Sequence, residues 1–220
     1  MQNRWNDSEA KAAIKKYSSY SEDIALRVYT SRLIGSEPAL VLHGGGNTSV
    51  KSATKNRVGE EIRVLYVKGS GWDLDTLEPA GLPGVKLDYL LKLRALGRLS
   101  DEDMVNDQRT NLLDASAPNP SVETLLHAFL PHKFIDHSHA DASLIIADQP
   151  DAEEICKEIY GDTMGFVSYI MPGFDLAKFA AEVYEKNPKV KGLLLKNLKK
   201  PESFFPILMD FGWHIKLETQ

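Results

Sequence analysis

Helical and strand-like spacings of apolar residues alternate along the sequence. Ser21 begins a run with apolar residues three and four positions apart, which predicts a helix ending at Gly35, and another helix start is predicted at Ser8. Short apolar runs predict strands at 39–42, 48–51, 61–68, 165–171 and 191–196. Further helices are predicted at 87–96, from Ser100, at 151–160 and at 176–185. The pattern indicates a mixed α/β chain.

Composition narrows the class of protein. The 220 residues are 43% hydrophobic and 26% charged, which predicts one globular domain over residues 1–220, with two small domains as the alternative. The net charge of −5, without a basic run, argues against nucleic acid as a partner. A single cysteine, Cys156, excludes a disulfide framework and is typical of a reducing compartment. Residues 1–7 lack a signal-peptide core and no apolar run approaches the roughly 20 residues of a membrane span, so we expect a cytoplasmic protein that does not bind membranes.

Two histidines separated by one residue, His137 and His139, follow the apolar residues 134–135. On a strand they share one face, roughly 7 Å apart, and can bind one metal ion. On a helix the two side chains would diverge by about 200°, so the metal site requires a strand here. The alternative is a pair of polar surface residues at the end of a strand.

Two glycine-rich turns are the candidate anion sites. Residues 43–47 contain three consecutive glycines followed by Asn47, and residues 69–72 follow the predicted strand at 61–68. Glycine permits positive φ, and successive backbone N–H groups in such turns form a concavity that binds anions. The first turn has a simpler explanation as a β-hairpin, in which the glycines serve only the backbone.

Ser121 and Glu123 begin a further predicted helix. Ser121 is a suitable N-cap, which would place Glu123 in the first turn, close to backbone N–H groups. Glu123 is either an acid/base group or a carboxylate that complements the helix dipole. His127, one turn later, is interpreted as a helix-face residue, and His132 is predicted to be exposed to solvent.

Four segments together resemble the class II aldolase/adducin family. Residues 45–49 and 68–71 are similar to its two phosphate loops, 120–123 to its serine-serine-glutamate segment, and 137–139 to its pair of metal-ligating histidines. Order and spacing agree from about residue 20 to residue 196. Residues 3–5 and 42–47 most resemble the aldolase portion of bifunctional rhamnulose-1-phosphate aldolase/alcohol dehydrogenase proteins.

The resemblance implies a three-layer α/β/α domain with a mainly antiparallel central sheet, assembled as a homotetramer. It implies a zinc ion or another divalent metal bound by His137 and His139, with Glu123 as the acid/base. The expected substrate is a small phosphorylated sugar, rhamnulose-1-phosphate in the first place, cleaved to dihydroxyacetone phosphate and an aldehyde. The residues implied to bind its phosphate are Gly46, Asn47, Ser70, Gly71 and Ser121.

The sequence departs from the family after residues 191–196. Asn197 occupies the place of the family's third metal-ligating histidine, and the tail from about residue 197 is atypical. An amide is a poor substitute for imidazole on zinc, so we expect reduced metal affinity and turnover. His214, seventeen residues further on, is not expected to replace it. A sugar-phosphate epimerase or dehydratase of the same family remains an alternative, as does a catalytically silent interaction module like the adducin head.

Overall fold

The computed structural model describes residues 3–196 and the backbone of the strand at 213–218. The helices are α1 (Asp7–Lys16), α2 (Glu22–Gly35), α3 (Leu87–Leu93), α4 (Asp101–Thr110), α5 (Thr124–Phe129), α6 (Asp141–Ala147), α7 (Ala152–Tyr160) and α8 (Phe174–Lys186). The strands are β1 (Asn47–Lys55), β2 (Glu61–Val67), β3 (Gly84–Lys86), β4 (Phe134–Ser138), β5 (Met164–Val167), β6 (Gly192–Leu195) and β7 (Trp213–Glu218).

The strands form one sheet in the order β3-β2-β1-β4-β7-β6-β5. Among the described strands, β5 and β6 form the parallel pair and all other neighbours are antiparallel. The register of β1 against β4 pairs Asn47 with His137, which brings the end of the first glycine turn beside the histidine pair. The mainly antiparallel sheet predicted from the family resemblance is confirmed.

Helices cover both faces of the sheet. On one face, Leu65, Ile135 and Leu193 are fully buried in a core shared with α3, α5 and α8. On the other face, α2 packs on β1 and β4, and Leu194 is buried against α6 and α7. Each fully buried aliphatic side chain contributes about 1.5–3 kcal/mol. The predicted three-layer α/β/α arrangement is therefore confirmed.

Side-chain caps fix where several helices begin. The Ser21 hydroxyl accepts a hydrogen bond from the amide of Ile24 at 3.3 Å, and the Ser100 hydroxyl accepts one from the amide of Asp103 at 3.1 Å, as predicted. The first helix is capped by the side chain of Asn6 instead of Ser8 and begins at Asp7. The predicted cap was therefore wrong by two residues.

The predicted strand at 39–42 was wrong. This segment forms a turn, in which the amides of Leu40 and Val41 donate to the carbonyl of Glu37, and then an extended connection. Its apolar content reflects packing, since Val41 is buried in the same core as Leu74. The hairpin explanation of the first glycine turn fails with it. The predicted strand at 165–171 is also shorter than expected and ends at Val167.

The structure describes only part of the C-terminal region that the sequence-based predictions cover. Asn197 and most of the tail lie outside the described residues. The backbone of β7 lies between β4 and β6, and its register pairs His214 with Ser138, one position away from His137. Across the described part of the chain, each helix is too short or too polar to cross a bilayer.

Candidate active site

A cleft of about 400 Å³ lies where β4 ends and β1 begins. Three backbone segments line it, namely 42–47, 68–71 and 121–123, and the two histidines of the predicted pair complete it. The structure brings together in this one cleft every residue that the sequence singled out for the site: Gly46, Asn47, Ser70, Gly71, Ser121, Glu123, His137 and His139.

The first glycine turn presses against the end of β4. His43 and Gly44 both have positive φ, 38° and 73°, and the amide of Gly45 closes the turn by donating to the carbonyl of Leu42 at 2.9 Å. Gly46 has φ 65°, and a Cβ there would lie 2.6 Å from the carbonyl oxygen of His137. Glycine is therefore required at position 46 for two reasons: the backbone has a positive φ, and a side chain would clash with the end of β4.

The second turn is held by its own backbone. The amides of Gly69 and Ser70 donate to the carbonyls of Gly81 and Asn119, at 2.8 and 2.9 Å. The expectation that the second turn repeats the anion concavity of the first is therefore wrong for these two amides. This turn contributes Ser70 and Gly71 to the lining of the cleft.

Lys68 joins the two turns, and sequence reasoning assigned it no role. Its ammonium donates to the carbonyl of Gly44 at 3.1 Å and to that of Trp72 at 2.6 Å, and the residue is buried at the wall of the cleft. Burial lowers the Lys68 pKa, while the charges of Asp73 and Glu123 oppose that shift. A lysine at the end of a buried strand, directly before a glycine-serine turn, was the available signal.

Glu123 occupies the N-cap of α5, one position before the first turn in which it was predicted. It makes no capping bond, because its carboxylate points at the neighbouring strands. Oε2 of Glu123 lies 2.7 Å from Nδ1 of His137, and the side-chain amide of Asn47 donates to the same oxygen. Ser121 supports this position by accepting a hydrogen bond from the amide of Glu123 at 3.3 Å. With 3% of its surface exposed, Glu123 is a buried carboxylate.

The two histidines converge as expected from a strand. His137 lies within β4 and His139 directly follows its last residue, and their ring centroids are 5.0 Å apart. Burial, with added repulsion from His137 and Lys68, lowers the pKa of His139 to about 3. His139 is therefore neutral at physiological pH, which is the form of imidazole that binds metal.

His127 belongs to the same cluster, although the sequence indicated only a helix-face residue. It is fully buried, and its Nδ1 lies 2.7 Å from the hydroxyl of Ser49. Burial, followed by electrostatic interactions with His137, Lys51 and Arg27, lowers the His127 pKa well below its usual value. The position four residues after Glu123, on the same side of a helix, was the available signal.

Glu123, His127 and His137 form a possible metal site. Each contributes one ligand atom, and these three atoms all lie within 4.8 Å of one another. Among the described residues, Oε1 of Glu123 and Nε2 of His127 are buried without a hydrogen-bond partner. Such orphaned donors and acceptors are costly unless an ion or a bound molecule engages them. The imidazole and carboxylate donors fit a divalent cation.

His132 differs from its prediction. It is 8% exposed instead of solvated, and its ring packs edge-on against Tyr184 with 5.1 Å between centroids. It lies outside the metal-site cluster.

The opposite face of β4 is anchored to α2. The buried guanidinium of Arg27 lies 2.6 Å from the carboxylate of Asp136, and it also donates to the carbonyl of Ser49 at 3.2 Å. Because Asp136 directly precedes His137, this ion pair fixes the strand that carries the histidines. Removing one partner of such a buried pair typically costs about 3–5 kcal/mol.

Comparison with known proteins identifies the class. The chain belongs to the Class II Aldolase and Adducin N-terminal domain family, which its residues 25–198 match. A Bacillus subtilis protein described as the uncharacterized oxidoreductase YuxG is 40% identical over 190 residues, which are 86% of this chain and 27% of that protein. The chain thus spans about a quarter of the length of this relative.

Solved structures show the same fold. The N-terminal class II aldolase domain of a conserved Thermoplasma acidophilum protein superposes with a TM-score of 0.81 at 37% identity, over 99% of this chain and 89% of that one. An L-fuculose 1-phosphate aldolase superposes with a TM-score of 0.55 at 14% identity, over 91% of this chain and 77% of that one. The second likeness is one of fold alone.

Proposed function

We propose that this chain is a metal-dependent aldolase that cleaves a ketose 1-phosphate to dihydroxyacetone phosphate and an aldehyde. The observation that carries the proposal is the cleft in which Glu123, His137 and His139 face two glycine turns joined by Lys68. Membership of the class II aldolase family supports this reaction class. Rhamnulose-1-phosphate is the favoured substrate, on the resemblance to the aldolase portion of bifunctional proteins.

His137 and His139 hold the cation in this proposal. A bound divalent ion such as Zn²⁺ supplies a Lewis acid that stabilises negative charge on the carbonyl and hydroxyl oxygens of the ketose. The chain's part is to present neutral imidazoles in a fixed geometry. The hydrogen bond between His137 and Glu123 fixes one ring, and burial keeps the other neutral.

The phosphate lies against the two turns and the α5 start in this proposal. Gly46, Asn47, Ser70, Gly71 and Ser121 line that part of the cleft. Lys68 adds a positive charge, so recognition does not depend on neutral donors alone. Asn47 has a second task, because its side-chain amide donates to the Glu123 carboxylate.

Glu123 moves the proton in the proposed reaction. When the C3–C4 bond of the ketose breaks, its electron pair stays on C3, and the Glu123 carboxylate takes the proton of the C4 hydroxyl, whose oxygen becomes the aldehyde carbonyl. Glu123 then delivers that proton to C3, which yields dihydroxyacetone phosphate and restores the carboxylate. A carboxylate that is 3% exposed is shielded from bulk water during this transfer.

The second candidate is a catalytically silent module like the adducin head. Asn197, in the place of the family's third histidine, favours it. Three features favour the enzyme: retention of Glu123, His137 and His139 in one cleft. A homotetramer located in the cytoplasm completes the proposal, again by resemblance to the family.

A coupled assay tests the proposal. The purified chain is incubated with rhamnulose 1-phosphate, fuculose 1-phosphate or ribulose 5-phosphate, with added zinc or with a chelator, and released dihydroxyacetone phosphate is reduced by NADH-dependent glycerol-phosphate dehydrogenase. Zinc-dependent release from rhamnulose 1-phosphate supports the proposal. Epimerisation of ribulose 5-phosphate without release identifies the epimerase alternative. No reaction with any substrate while metal is bound identifies the silent module.

A further inference from the structure

We propose that His43 is a further residue of the phosphate site, and that its imidazole donates a hydrogen bond to the phosphate of the substrate at the mouth of the cleft. The inference rests on the proposed function and deepens it, because it adds a side chain to the five residues to which phosphate binding is ascribed. No sequence motif singles out His43 for such a role.

The backbone conformation of His43 is the first observation. Its φ is 38°, and in the described part of the chain His43 is the single residue other than glycine with a positive φ. A β-carbon makes this left-handed region unfavourable, whereas glycine adopts it freely. Glycine follows at the next three positions, so the turn keeps a side chain where a fourth glycine would fold more easily. Residues held in such conformations concentrate at ligand sites, which points to a task for the imidazole.

The location of His43 is the second observation. His43 lines the same cleft as Gly46, Ser70 and Ser121, to which the phosphate is ascribed. Whereas His137 is fully buried at the end of β4, His43 is exposed to solvent. Its imidazole makes no hydrogen bond within the described part of the chain, so its N–H is available to a ligand. An exposed donor on the wall of the cleft can reach the outer oxygens of a phosphate that enters from solvent.

The hydrogen bonds of the two glycine turns leave a need for side-chain donors. The amides of Gly45, Gly69 and Ser70 each donate to a backbone carbonyl of the chain itself. Two of the three N–H groups of the Lys68 ammonium do the same. A phosphate group carries three strongly accepting oxygens, and hydrogen bonds to an ionised acceptor are the strong ones. The imidazole N–H of His43 supplies one more donor for these oxygens.

Binding of inorganic phosphate to the full chain tests the inference without depending on turnover. Isothermal titration calorimetry gives the phosphate Kd, and a repeat with a chelator present excludes phosphate bound to a metal ion. His43→Gly removes the imidazole and is expected to raise this Kd roughly 10-fold or more, because a hydrogen bond to a charged group is lost.

The stability of His43→Gly separates a binding role from a structural one. Because glycine suits the positive φ, the urea midpoint of this variant should be no lower than that of the unmodified chain. Weaker phosphate binding together with a lower midpoint overturns the inference, since the side chain would then act through the stability of the turn.

Two conservative variants test whether the imidazole acts as a hydrogen-bond donor. The side-chain amide of asparagine lies where Nδ1 of histidine does, and that of glutamine lies where Nε2 does. We expect either His43→Asn or His43→Gln to bring the phosphate Kd back to near that of the unmodified chain, which also identifies the donating nitrogen. If both bind phosphate as weakly as His43→Gly, the hydrogen bond is refuted.

Arg57→Gly is the matched control. Arg57 is an exposed turn residue that follows β1, so its replacement also removes N–H donors and adds a glycine to a turn. Because β1 begins at the cleft and is nine residues long, Arg57 lies roughly 25 Å or more from the phosphate site. The phosphate Kd should stay unchanged. An equal loss of affinity in this variant would mean that phosphate responds to the charge of the whole surface, and would overturn the inference.

The titration distinguishes this inference from the proposed function. An unchanged phosphate Kd in folded His43→Gly overturns the inference and leaves the proposed aldolase intact. If the unmodified chain binds no phosphate, the inference fails together with the phosphate recognition that the proposed function requires.

Discussion

Nδ1 of His137 lies 2.7 Å from Oε2 of Glu123, in a contact that solvent barely reaches. An ionised carboxylate can only accept a hydrogen bond, so this contact places the ring proton on Nδ1 and the lone pair on Nε2. The sequence assigned metal binding to His137 and proton transfer to Glu123, and one hydrogen bond joins these two side chains. A change that breaks this hydrogen bond is therefore expected to act on both tasks.

Glu123→Gln separates these tasks. The amide oxygen of glutamine can still accept the Nδ1 proton of His137, but glutamine cannot transfer a proton to the substrate. We expect kcat to fall by about 10²- to 10⁴-fold while zinc content stays near that of the unmodified chain. Steady-state kinetics and metal analysis of the same preparation provide the comparison. Loss of zinc along with activity would instead make Glu123 a metal ligand.

Asn47→Asp changes the charge beside Glu123. The side-chain amide of Asn47 donates to the Glu123 carboxylate, whereas a second carboxylate at this position would repel it. Repulsion would displace the Glu123 carboxylate from its hydrogen bond with His137, so kcat/KM is expected to fall further in Asn47→Asp than in Asn47→Ala, which removes the donor without adding charge. Steady-state kinetics of both variants at one pH provide the comparison. Equal losses would refute the electrostatic explanation.

Gly46→Ala tests the close approach of the first turn to β4. A Cβ at Gly46 would lie 2.6 Å from the His137 carbonyl oxygen and 2.8 Å from Val41, with φ already at 65°. We expect a loss of about 3 kcal/mol or more in the free energy of unfolding, measured with urea. Gly71→Ala is the control, because Gly71 has φ 84° but nothing within 4 Å of the added atom. Its cost should be about 1–2 kcal/mol. Equal losses would show that space at Gly46 is not limiting.

Lys68→Met tests whether the buried ammonium binds the substrate's phosphate. A charge-assisted hydrogen bond contributes about 1.5–3 kcal/mol, so KM and the inhibition constant for inorganic phosphate should rise roughly 10- to 150-fold. Lys178→Met is the control, because the Lys178 ammonium also donates to a backbone carbonyl, that of Leu96, at 2.7 Å. That variant should keep the original constants. An unchanged phosphate constant in Lys68→Met would leave the lysine with a purely structural task.

Lys51 should make the free energy of unfolding depend on pH between about 7 and 10. Its ammonium donates only to the carbonyls of Leu130 and His132 among the described residues, and burial lowers its pKa to about 7. The unfolded chain, with an ordinary lysine pKa near 10.5, binds the proton more tightly than the folded chain between those values. The free energy of unfolding therefore rises with pH from about 7 to 10, by at most about 1.4 kcal/mol per unit.

Lys51→Met removes this contribution. Relative to that variant, the unmodified chain should gain about 1–2 kcal/mol between pH 7.5 and 9, measured by urea unfolding in matched buffers. Parallel curves for the two proteins across this range would mean that the Lys51 ammonium is solvated in the folded state.

Local signals in the sequence predicted much of the fold. Ser21 and Ser100 were correct as helix caps because each hydroxyl satisfies an amide within three residues, which is a purely local interaction. Residues 39–42 were misassigned as a strand because a short apolar run indicates that its side chains are buried, but not which element they pack against. Val41 is buried in a cluster with residues of α2 and of loops, outside the sheet. The position of β7 between β4 and β6 was beyond reach, since strand order is set by contacts distant in sequence.

The same distinction between local signals and tertiary contacts applies to the residues of the site. Each glycine turn and the histidine pair carries a recognisable local motif, and the structure places all of them in one cleft. Lys68 and His127 carry weaker local signals, namely a position directly before the second glycine turn and a position four residues after Glu123. They were missed because the contacts that place them at the site are tertiary, with Gly44 in one case and with Ser49 in the other.

Two backbone hydrogen bonds attach the histidine pair to the segment that leads into the first glycine turn. The amide of His139 donates to the carbonyl of Leu40 at 2.8 Å, and that of Asp141 donates to the carbonyl of Ala39 at 3.1 Å. The distance between the first glycine turn and the histidine pair is thereby set by main-chain geometry. If the proposed sugar phosphate and metal ion occupy these two places, a substrate that is one carbon longer or shorter between its phosphate and its carbonyl would not fit both, because side-chain rotation alone cannot change this distance.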